Sequence, residues 1–452
     1  MQPLTTEEII KATGGTLIGG EETVIKGIST NSREIKEGEL FIPLVGEKFD
    51  GHEFIRAAFE LGAAATLTSK ETELFIDKTI IKVDDTKKAL GAIAAYYKAK
   101  LNVPAIAVTG SVGKTTTKDM VYSVISQKYD TLKTAANFNN DIGLPLTIFR
   151  LEKEHEAAVL EMGMNHFGEI DYLASIGKPD VAIITNIGES HIENLGSREG
   201  IFKAKMEIAN RFTKDNTLIV NGDDDFLRTV SGEYKVVRYG IGECNDVYAK
   251  DIVNNGLDGI SFTAVVNGTE YTAELIVPGE HNVYNALAAI CAGLEFKIPM
   301  EDILRGIKTF EPTAQRLAVE TYKGITIIND CYNASPDSIK AALKVLADAE
   351  AKRRIAVLGD VLEMGEHAPD AHYGLGEYVK AAGVDVLVTA GENMKHLARG
   401  AKECGVNEIH AFDKTLEACN YVKEAIKEGD AVLIKASHGM RFEEVYNAIK
   451  DN

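Results

Sequence analysis

Short apolar runs alternate with amphipathic stretches through most of this chain. In the middle section, stretches with helical periodicity separate four apolar runs, at 105–108, 157–162, 181–185 and 218–221. Apolar runs of this length are typical of buried strands, and strands that alternate with helices predict a parallel sheet with helices on both faces. Residues 234–277 break this rhythm with β-rich runs and glycine turns, so we expect an antiparallel insertion there, followed by a helix over 281–296.

The flanking sections have patterns of their own. The N-terminal section predicts strands at 27–28, 40–42 and 79–83, a further apolar piece at 61–67, and helices at 54–61 and 86–98. The C-terminal section predicts a second doubly wound unit, with amphipathic helices between strands at 325–328, 354–358, 384–388 and 431–435. We therefore predict an α/β protein of three domains, with boundaries at 1–101, 102–312 and 313–452.

Composition narrows the class of protein. The chain has 452 residues, 45% of them hydrophobic, which suits several domains with buried cores. Its net charge of −19 argues against nucleic acid as a partner, since phosphate backbones attract basic surfaces. Five scattered cysteines without a CxxC pair are typical of reduced thiols, and neither a signal sequence nor a membrane-spanning run is evident. We expect a cytoplasmic protein without membrane insertion.

The strongest chemical signal is a glycine loop between a predicted strand and a predicted helix. The segment 109–118 reads TGSVGKTTTK, after the apolar run at 105–108 and before a helical stretch at 119–127. Such a loop closes its backbone N–H groups around phosphate at the positive end of a helix. Lys114 would reach the β- and γ-phosphates, and we expect its side chain to face solvent. Because Val108 stands where a standard P-loop has glycine, this is a shortened GxxGKT form.

Polar residues follow other strands of the same predicted sheet. Glu161 comes directly after one apolar run, and Asn186 and His191 follow another. The carboxyl ends of parallel strands lie at one edge, so these residues can converge with Lys114 and Thr115. Glu161 suits a Mg²⁺ ligand because hard cations prefer carboxylate oxygen, and His191 is a second candidate ligand.

Two further segments allow more than one interpretation. Asn137, Asn139 and Asn140 lie in NFNNDIGLP, which is either an ordinary turn-rich loop or a polar ligand site. The stretch FKAKME carries two lysines, for which a solvated helix face is the default, and no physical feature singles out Lys205.

Together these segments resemble the Mur ligases of bacterial peptidoglycan synthesis, over essentially the whole chain. The resemblance rests on the glycine loop, NFNNDIGLP, EMGM at 161–164, TNIGESH at 185–191, KAKME at 203–207, GEHNVYNALAA at 279–289 and AQR at 314–316. The stretches NDCYNASPDS at 329–338 and LGDVLEMG at 358–365 resemble the branch that adds D-alanyl-D-alanine to UDP-N-acetylmuramoyl-tripeptide. The branch that adds the third amino acid normally has tyrosine-alanine-histidine where this chain has Cys331-Tyr332-Asn333.

The resemblance implies a small α/β UDP-binding domain, a central P-loop ATPase domain with a parallel sheet, and a C-terminal Rossmann-like domain. It implies ATP-driven amide formation with two Mg²⁺ sites, held by Thr115, Glu161, His191 and Lys205, the last as a carbamate. Catalysis would rest on Lys114, Glu161, His191 and Lys205. The residues implied to bind ATP are Thr109, Gly110, Ser111, Val112, Gly113, Lys114, Thr115, Thr116, Asn285, Arg316 and Asp330.

The implied partners are UDP-N-acetylmuramoyl-tripeptide and D-alanyl-D-alanine, bound by a monomer. Ser29, Thr30, Asn31, Ser32 and Arg33 match the uridine-diphosphate-sugar site, together with 41–44, although a polar turn after a strand is the plain alternative. We also assign substrate binding to the three asparagines of NFNNDIGLP and to Tyr332 and Asn333. The third residue of the tripeptide, lysine or diaminopimelate, stays open.

One position departs from the family pattern, and two alternative functions remain. His438 stands where relatives commonly have arginine, so a permanent cation is replaced by a mostly neutral ring. The first alternative is a related Mur-type or folylpolyglutamate-type ligase, although the latter has its glycine loop much nearer the N-terminus. The second is a nucleotide switch, which the predicted metal site disfavours.

Overall fold

The computed structural model describes residues 1–71 and 78–451 and arranges them around three large β-sheets that follow one another along the chain. The predicted three-domain α/β architecture is confirmed. None of the described helices combines the length and apolar character needed to cross a bilayer.

The first sheet has five strands in the order β2-β7-β6-β5-β4, with β2 antiparallel and the rest parallel. Its elements, with the small β1–β3 pair beside it, are β1 (Leu4–Thr5), α1 (Thr6–Thr13), β2 (Thr16–Gly19), β3 (Val24–Ile25), β4 (Gly27–Ser29), β5 (Glu39–Phe41), α2 (Ile55–Glu60), β6 (Ala65–Thr68), β7 (Thr79–Lys82) and α3 (Thr86–Leu101). Asp85 caps the start of α3, and Asn102 ends it in a left-handed conformation.

The second sheet has nine strands in the order β16-β15-β14-β13-β12-β11-β8-β10-β9. Its elements are β8 (Ala105–Thr109), α4 (Lys114–Ile125), β9 (Thr131–Lys133), α5 (Gly143–Ile148), β10 (Ala157–Glu161), α6 (Glu169–Gly177), β11 (Val181–Ile184), α7 (Ile192–Leu195), α8 (Arg198–Met206), β12 (Thr217–Asn221), β13 (Lys235–Gly240), β14 (Val247–Asn254), β15 (Ile260–Val266), β16 (Thr269–Leu275), α9 (His281–Glu295) and α10 (Met300–Lys308).

The antiparallel insertion predicted at 234–277 is confirmed for β14–β16 but not for β13. Strand β13 pairs in parallel with β12, and β14 pairs in parallel with β13, so both extend the central sheet. Only the β14-β15-β16 part is antiparallel. The glycine turns correctly indicated antiparallel strands, but the sequence does not reveal which edge of an existing sheet these strands extend.

The third sheet has the order β17-β18-β22-β19-β20-β21, with five parallel strands and an antiparallel edge strand, β17. Its elements are β17 (Ala318–Tyr322), β18 (Ile325–Asn329), α11 (Pro336–Ala347), β19 (Arg353–Gly359), α12 (Ala368–Ala381), β20 (Val386–Ala390), α13 (Met394–Glu403), β21 (Glu408–Phe412), α14 (Thr415–Ala425), β22 (Asp430–Lys435) and α15 (Glu443–Lys450). The sequence analysis missed β17 and β21, because these partly exposed edge strands lack an apolar run.

Close helix packing holds one face of the central sheet. Helix α4, which follows the glycine loop, packs against α9 and α10. A Cβ atom built on Gly306 of α10 would lie 2.7 Å from Cα of Val124 and 2.8 Å from the carbonyl oxygen of Ser123. Only glycine permits this approach, since the obstructing atoms are backbone.

We expect Gly306→Ala to lower the free energy of unfolding by about 1–3 kcal/mol, because the added methyl group must push α10 away from α4. Gly374→Ala is the matched control: this glycine also lies inside a helix, α12, and a Cβ there meets no atom within 4 Å. That substitution should raise the stability of its domain by about 0.5–1 kcal/mol. Calorimetric unfolding transitions of both variants measure the difference; equal shifts for the two would contradict the packing described.

Candidate active site

The glycine loop lies at the carboxyl edge of the central sheet. Helix α4 begins at Lys114, five residues earlier than the sequence predicted. Gly113 caps it with a φ of 84°, and a Cβ atom on Gly110 would lie 1.8 Å from Oγ1 of Thr185. The backbone N–H of Val112 donates to Oδ1 of Asn186 at 2.9 Å, so the neighbouring strand fixes the loop in place. The loop therefore has a rigid form that requires glycine at both positions.

Lys114 is half-buried, whereas we expected its side chain to face solvent. Its ammonium group donates to the carbonyl oxygens of Gly110 at 2.8 Å and Ser111 at 3.3 Å. Burial lowers the pKa of Lys114, the nearby charge of Glu161 opposes this, and Arg316 adds to it. The side chain is folded over the loop because those two carbonyl oxygens accept hydrogen bonds from its ammonium group.

Glu161 ends β10 and carries an unsatisfied oxygen. Its Oε1 accepts a hydrogen bond from Nδ2 of Asn139 at 2.8 Å, whereas the buried Oε2 has no partner. Oγ1 of Thr109, on the adjacent strand, is also buried without a partner. A buried carboxylate oxygen is costly unless a donor or cation meets it. Oxygen donors of this kind fit Mg²⁺, although the described residues hold no group of three His, Cys, Asp or Glu side chains arranged for a metal.

His191 precedes α7 and lies at the boundary with the third domain. Its φ is 64°, a left-handed value that is unusual for histidine. Nδ1 lies 2.6 Å from Oε2 of Glu363, in the loop after β19, and this contact lowers the pKa of the Glu363 carboxyl group. The sequence analysis did not select Glu363, because no local pattern links a third-domain loop to a second-domain histidine.

Lys205 and Lys203 have different surroundings, although both lie on α8. The side chain of Lys203 is 64% exposed and pairs with Glu199, whereas Lys205 is only 2% exposed. Burial, with a contribution from the charge of Lys114, lowers the pKa of Lys205 well below its usual value. Arg198 at the start of α8 donates to the carbonyl oxygen of Ile187, so this helix is tied to the loop that carries His191.

The third domain supplies the opposite wall. Asp330 and Lys435 form a buried ion pair, and Oδ1 of Asp330 accepts from the backbone N–H of Leu317 at 3.1 Å. Arg316 places Nη2 3.4 Å from Oγ1 of Thr115, and its guanidinium group lies 4.0 Å above the ring of Tyr332. These contacts bring the joint and the third domain to the glycine loop.

His438, the departure from the family pattern, faces Tyr332. The centroids of the two rings are 5.5 Å apart and their planes are tilted by 37°. The backbone N–H of His438 donates to Oδ1 of Asn333 at 3.4 Å. An imidazole therefore occupies a position beside the two residues that we assigned to substrate binding.

A cavity of about 670 Å³ unites most of the predicted residues. Those that line it are Ser111, Val112, Gly113, Lys114, Thr115, Thr116, Asn137, Asn139, Asn140, Glu161, His191, Lys205, Asn285, Arg316, Asp330, Tyr332 and Asn333. Thr109 and Gly110 lie just outside the lining, at the start of the loop. Asn285, predicted to contact adenine, uses its amide within the fold: Oδ1 accepts from Thr117 and Nδ2 donates to Asn282.

The first-domain residues 29–33 are not part of this cavity lining. They form a polar turn after β4, in which Oγ of Ser29 donates to the carbonyl oxygen of Asn31 at 3.1 Å. His281 and Lys435 are among the lining residues that the sequence analysis did not select. Burial lowers the pKa of His281 to about 4, against the opposing charge of Asp330. His281 lies in the quoted segment GEHNVYNALAA and Lys435 ends the predicted strand at 431–435, but the sequence does not indicate the surroundings of either residue.

The chain is similar to known proteins along nearly its whole length. Models of the Mur ligase family match in three parts: the family's catalytic domain at 24–98, its middle domain at 108–293 and its glutamate ligase domain at 315–438. The UDP-N-acetylmuramoyl-tripeptide--D-alanyl-D-alanine ligase of Bacillus subtilis (strain 168) is 42% identical over 447 residues, which cover 98% of this chain and 97% of the relative.

Two solved structures extend the comparison to the fold. A crystal structure of MurF from Acinetobacter baumannii has a TM-score of 0.92 and 32% identity, covering 100% of both chains. MurF ligase from Thermotoga maritima, in complex with ADP, has a TM-score of 0.85 and 28% identity, covering 94% of this chain and 97% of that one. This chain belongs to the Mur ligase family.

Proposed function

We propose that this protein is an ATP-dependent ligase that joins D-alanyl-D-alanine to UDP-N-acetylmuramoyl-tripeptide in peptidoglycan precursor synthesis, and that it acts in the cytoplasm as a monomer. The names of its full-length relatives support this activity. The structural observation that carries it is one cavity lined by the glycine loop and an unsatisfied carboxylate oxygen of Glu161 from the central domain, and by Arg316 and Asp330 from the C-terminal domain.

The reaction requires activation of a carboxylate, which resists attack because of its charge and resonance. Transfer of the γ-phosphoryl group of ATP to the tripeptide carboxylate gives ADP and an acyl phosphate with a good leaving group. The amine of the dipeptide then attacks the acyl carbon through a tetrahedral intermediate, loses its proton and expels phosphate. Catalysis therefore depends on alignment of three substrates and on neutralisation of the moving phosphoryl charge.

The residues on the central sheet suit the phosphate side of this reaction. The glycine loop leads into the N-terminus of α4, where phosphate is favoured. Lys114 can exchange its two carbonyl acceptors for phosphate oxygens, which are stronger acceptors. Arg316 approaches the same position from the joint. Thr115 and Glu161 would hold one Mg²⁺, and His191 and Lys205 a second; bound there, Mg²⁺ neutralises phosphate charge. Asp330 and Asn285 would contact the nucleoside.

For Lys205 we propose a carbamate. A bare ammonium group would repel Mg²⁺ at close range, whereas a carbamate oxygen is a suitable ligand. Carbamate formation needs a neutral amine to attack carbon dioxide, with release of one proton. Burial of Lys205 beside Lys114 lowers its pKa and so favours the neutral amine.

The substrate side is a proposal from the remaining cavity residues. Asn137, Asn139 and Asn140 lie on the side of Glu161, and Tyr332 and Asn333 lie on the third domain. Because residues 29–33 are outside the cavity, we propose that they bind the uridine diphosphate end of an extended substrate, whose peptide end reaches the cavity.

The direct test of the activity is ADP release from ATP by the purified protein. We expect release to require a UDP-N-acetylmuramoyl-tripeptide and to rise several-fold when D-alanyl-D-alanine is added. Running the assay with the lysine and the diaminopimelate tripeptides identifies the third residue. Release that depends on glutamate instead would support the folylpolyglutamate-type alternative, and release that ignores both amines would support a nucleotide switch.

A second prediction concerns the carbamate. Lys205→Ala should lower turnover by about 100-fold or more, because the loss of a Mg²⁺ ligand weakens stabilisation of charge in the transition state. Short carboxylic acids added to the buffer should restore part of the activity by supplying the missing oxygens. Lys203→Ala is the control and should keep normal turnover, because Lys203 lies about half a turn away on the same helix and is exposed. An active Lys205→Ala enzyme, or no rescue by any carboxylic acid, would exclude the carbamate.

A further inference from the structure

The contact between His191 and Glu363 joins the second domain to the third inside the catalytic region. Oε2 of Glu363 lies 2.6 Å from Nδ1 of His191, close enough for a charge-assisted pair although not aligned as a hydrogen bond. The Glu363 side chain is 53% exposed, so its carboxylate has room to rotate into alignment, whereas His191 is only 21% exposed.

Both residues adopt unusual backbone conformations to meet. Glu363 has a φ of 62° and His191 a φ of 64°, and neither is glycine. Left-handed conformations of such residues persist only where surrounding structure holds them, and they are frequent at functional sites. Two facing residues with the same left-handed conformation, one in each domain, indicate that their contact has a functional role in addition to packing.

The loop that carries Glu363 also packs closely against the segment that follows His191. A Cβ atom on Gly365, two residues after Glu363, would lie 3.1 Å from Cγ of Glu193, two residues after His191. The turn Gly365–His367 also packs against α7. Glu363 is thus held opposite His191 by neighbouring contacts and does not depend on its contact with the histidine ring alone.

The pairing leaves one ring nitrogen for a ligand. Histidines that bind metals commonly give their other N–H to a carboxylate, which fixes the tautomer and the orientation of the ring. With Nδ1 turned to Glu363, Nε2 is the nitrogen that remains for the cavity, which His191 lines. The carboxylate comes from the third domain, so this orientation exists only while the two domains are together.

We propose that Glu363 is a positioning residue that holds His191 with Nδ1 protonated and Nε2 presented to the cavity, and so makes the ligand set complete only in the closed arrangement of the domains. The proposal rests on the proposed function, in which His191 serves the second Mg²⁺. Glu363 itself is not among the residues that line the cavity.

The test compares three variants of the full-length protein. Glu363→Ala removes the acceptor, Glu363→Gln keeps an amide oxygen that can still accept from Nδ1–H, and Glu193→Gln is the control. Glu193 is exposed, lies at the same domain boundary and loses the same charge. Two readouts are measured: the Mg²⁺ concentration that gives half-maximal ADP release, and the ¹⁵N chemical shifts of His191, assigned with a His191→Gln variant.

We expect Glu363→Ala to raise the half-maximal Mg²⁺ concentration by about 10-fold to 100-fold, with Glu363→Gln close to wild type and the control unchanged. The ¹⁵N shifts should report Nδ1–H in the wild type and in Glu363→Gln, and a changed tautomer in Glu363→Ala. An unchanged tautomer in Glu363→Ala would overturn the proposal, as would a Gln variant as impaired as the Ala variant. If the wild type releases no dipeptide-dependent ADP, the proposed function fails, while the ¹⁵N readout still decides the role of Glu363.

Discussion

An anionic chain that binds an anionic nucleotide must concentrate positive charge and backbone donors in one place. This chain has a net charge of −19, and the carboxyl edge of the central sheet is where it meets that requirement. The glycine loop, Lys114 and Lys205 lie there, with Arg316 opposite. Burial, with a contribution from the charge of Lys114, lowers the pKa of Lys205. The site is therefore favourable for phosphate and, at Lys205, for a group that exchanges a cation for an anion.

The site is divided between the central sheet and the third sheet, and the joint between them also supplies positive charge through Arg316. The chain passes from the central sheet to the third sheet near 313–317, and both ends of this joint are pinned. Oγ1 of Thr313 donates to Asp119 on α4 at 2.6 Å, and the N–H of Leu317 donates to Asp330 at 3.1 Å. Within this joint, Gln315 and Leu317 have left-handed φ values of 66° and 49°. Arg316, held in this strained joint, is well placed to link movement of the third domain to the phosphate loop.

The sequence predicted the elements that depend on short-range patterns. The strand before the glycine loop, the carboxylate at the end of β10 and the helix that begins at His281 follow from apolar runs and helical periodicity. The edge rule for parallel sheets correctly brought Lys114, Glu161 and His191 to one cavity. The chemical roles of these residues remain proposals.

What the sequence could not provide depends on tertiary contacts. Lys114 was expected in solvent, yet the loop folds so that two carbonyls receive its ammonium group. Edge strands such as β21 escaped notice because exposure removes the apolar signal. The pairing of His191 with Glu363 joins positions 172 residues apart in different domains, which no local pattern encodes.

The central claim is that the third domain completes the site by closing on the second, and small-angle scattering tests it most directly. The scattering curve of the protein with a non-hydrolysable ATP analogue, Mg²⁺ and the UDP-tripeptide should match the curve calculated from this compact arrangement, and the free protein should have a larger radius of gyration. An identical radius of gyration with and without saturating ligands, at a value larger than that of this structure, would contradict the claim.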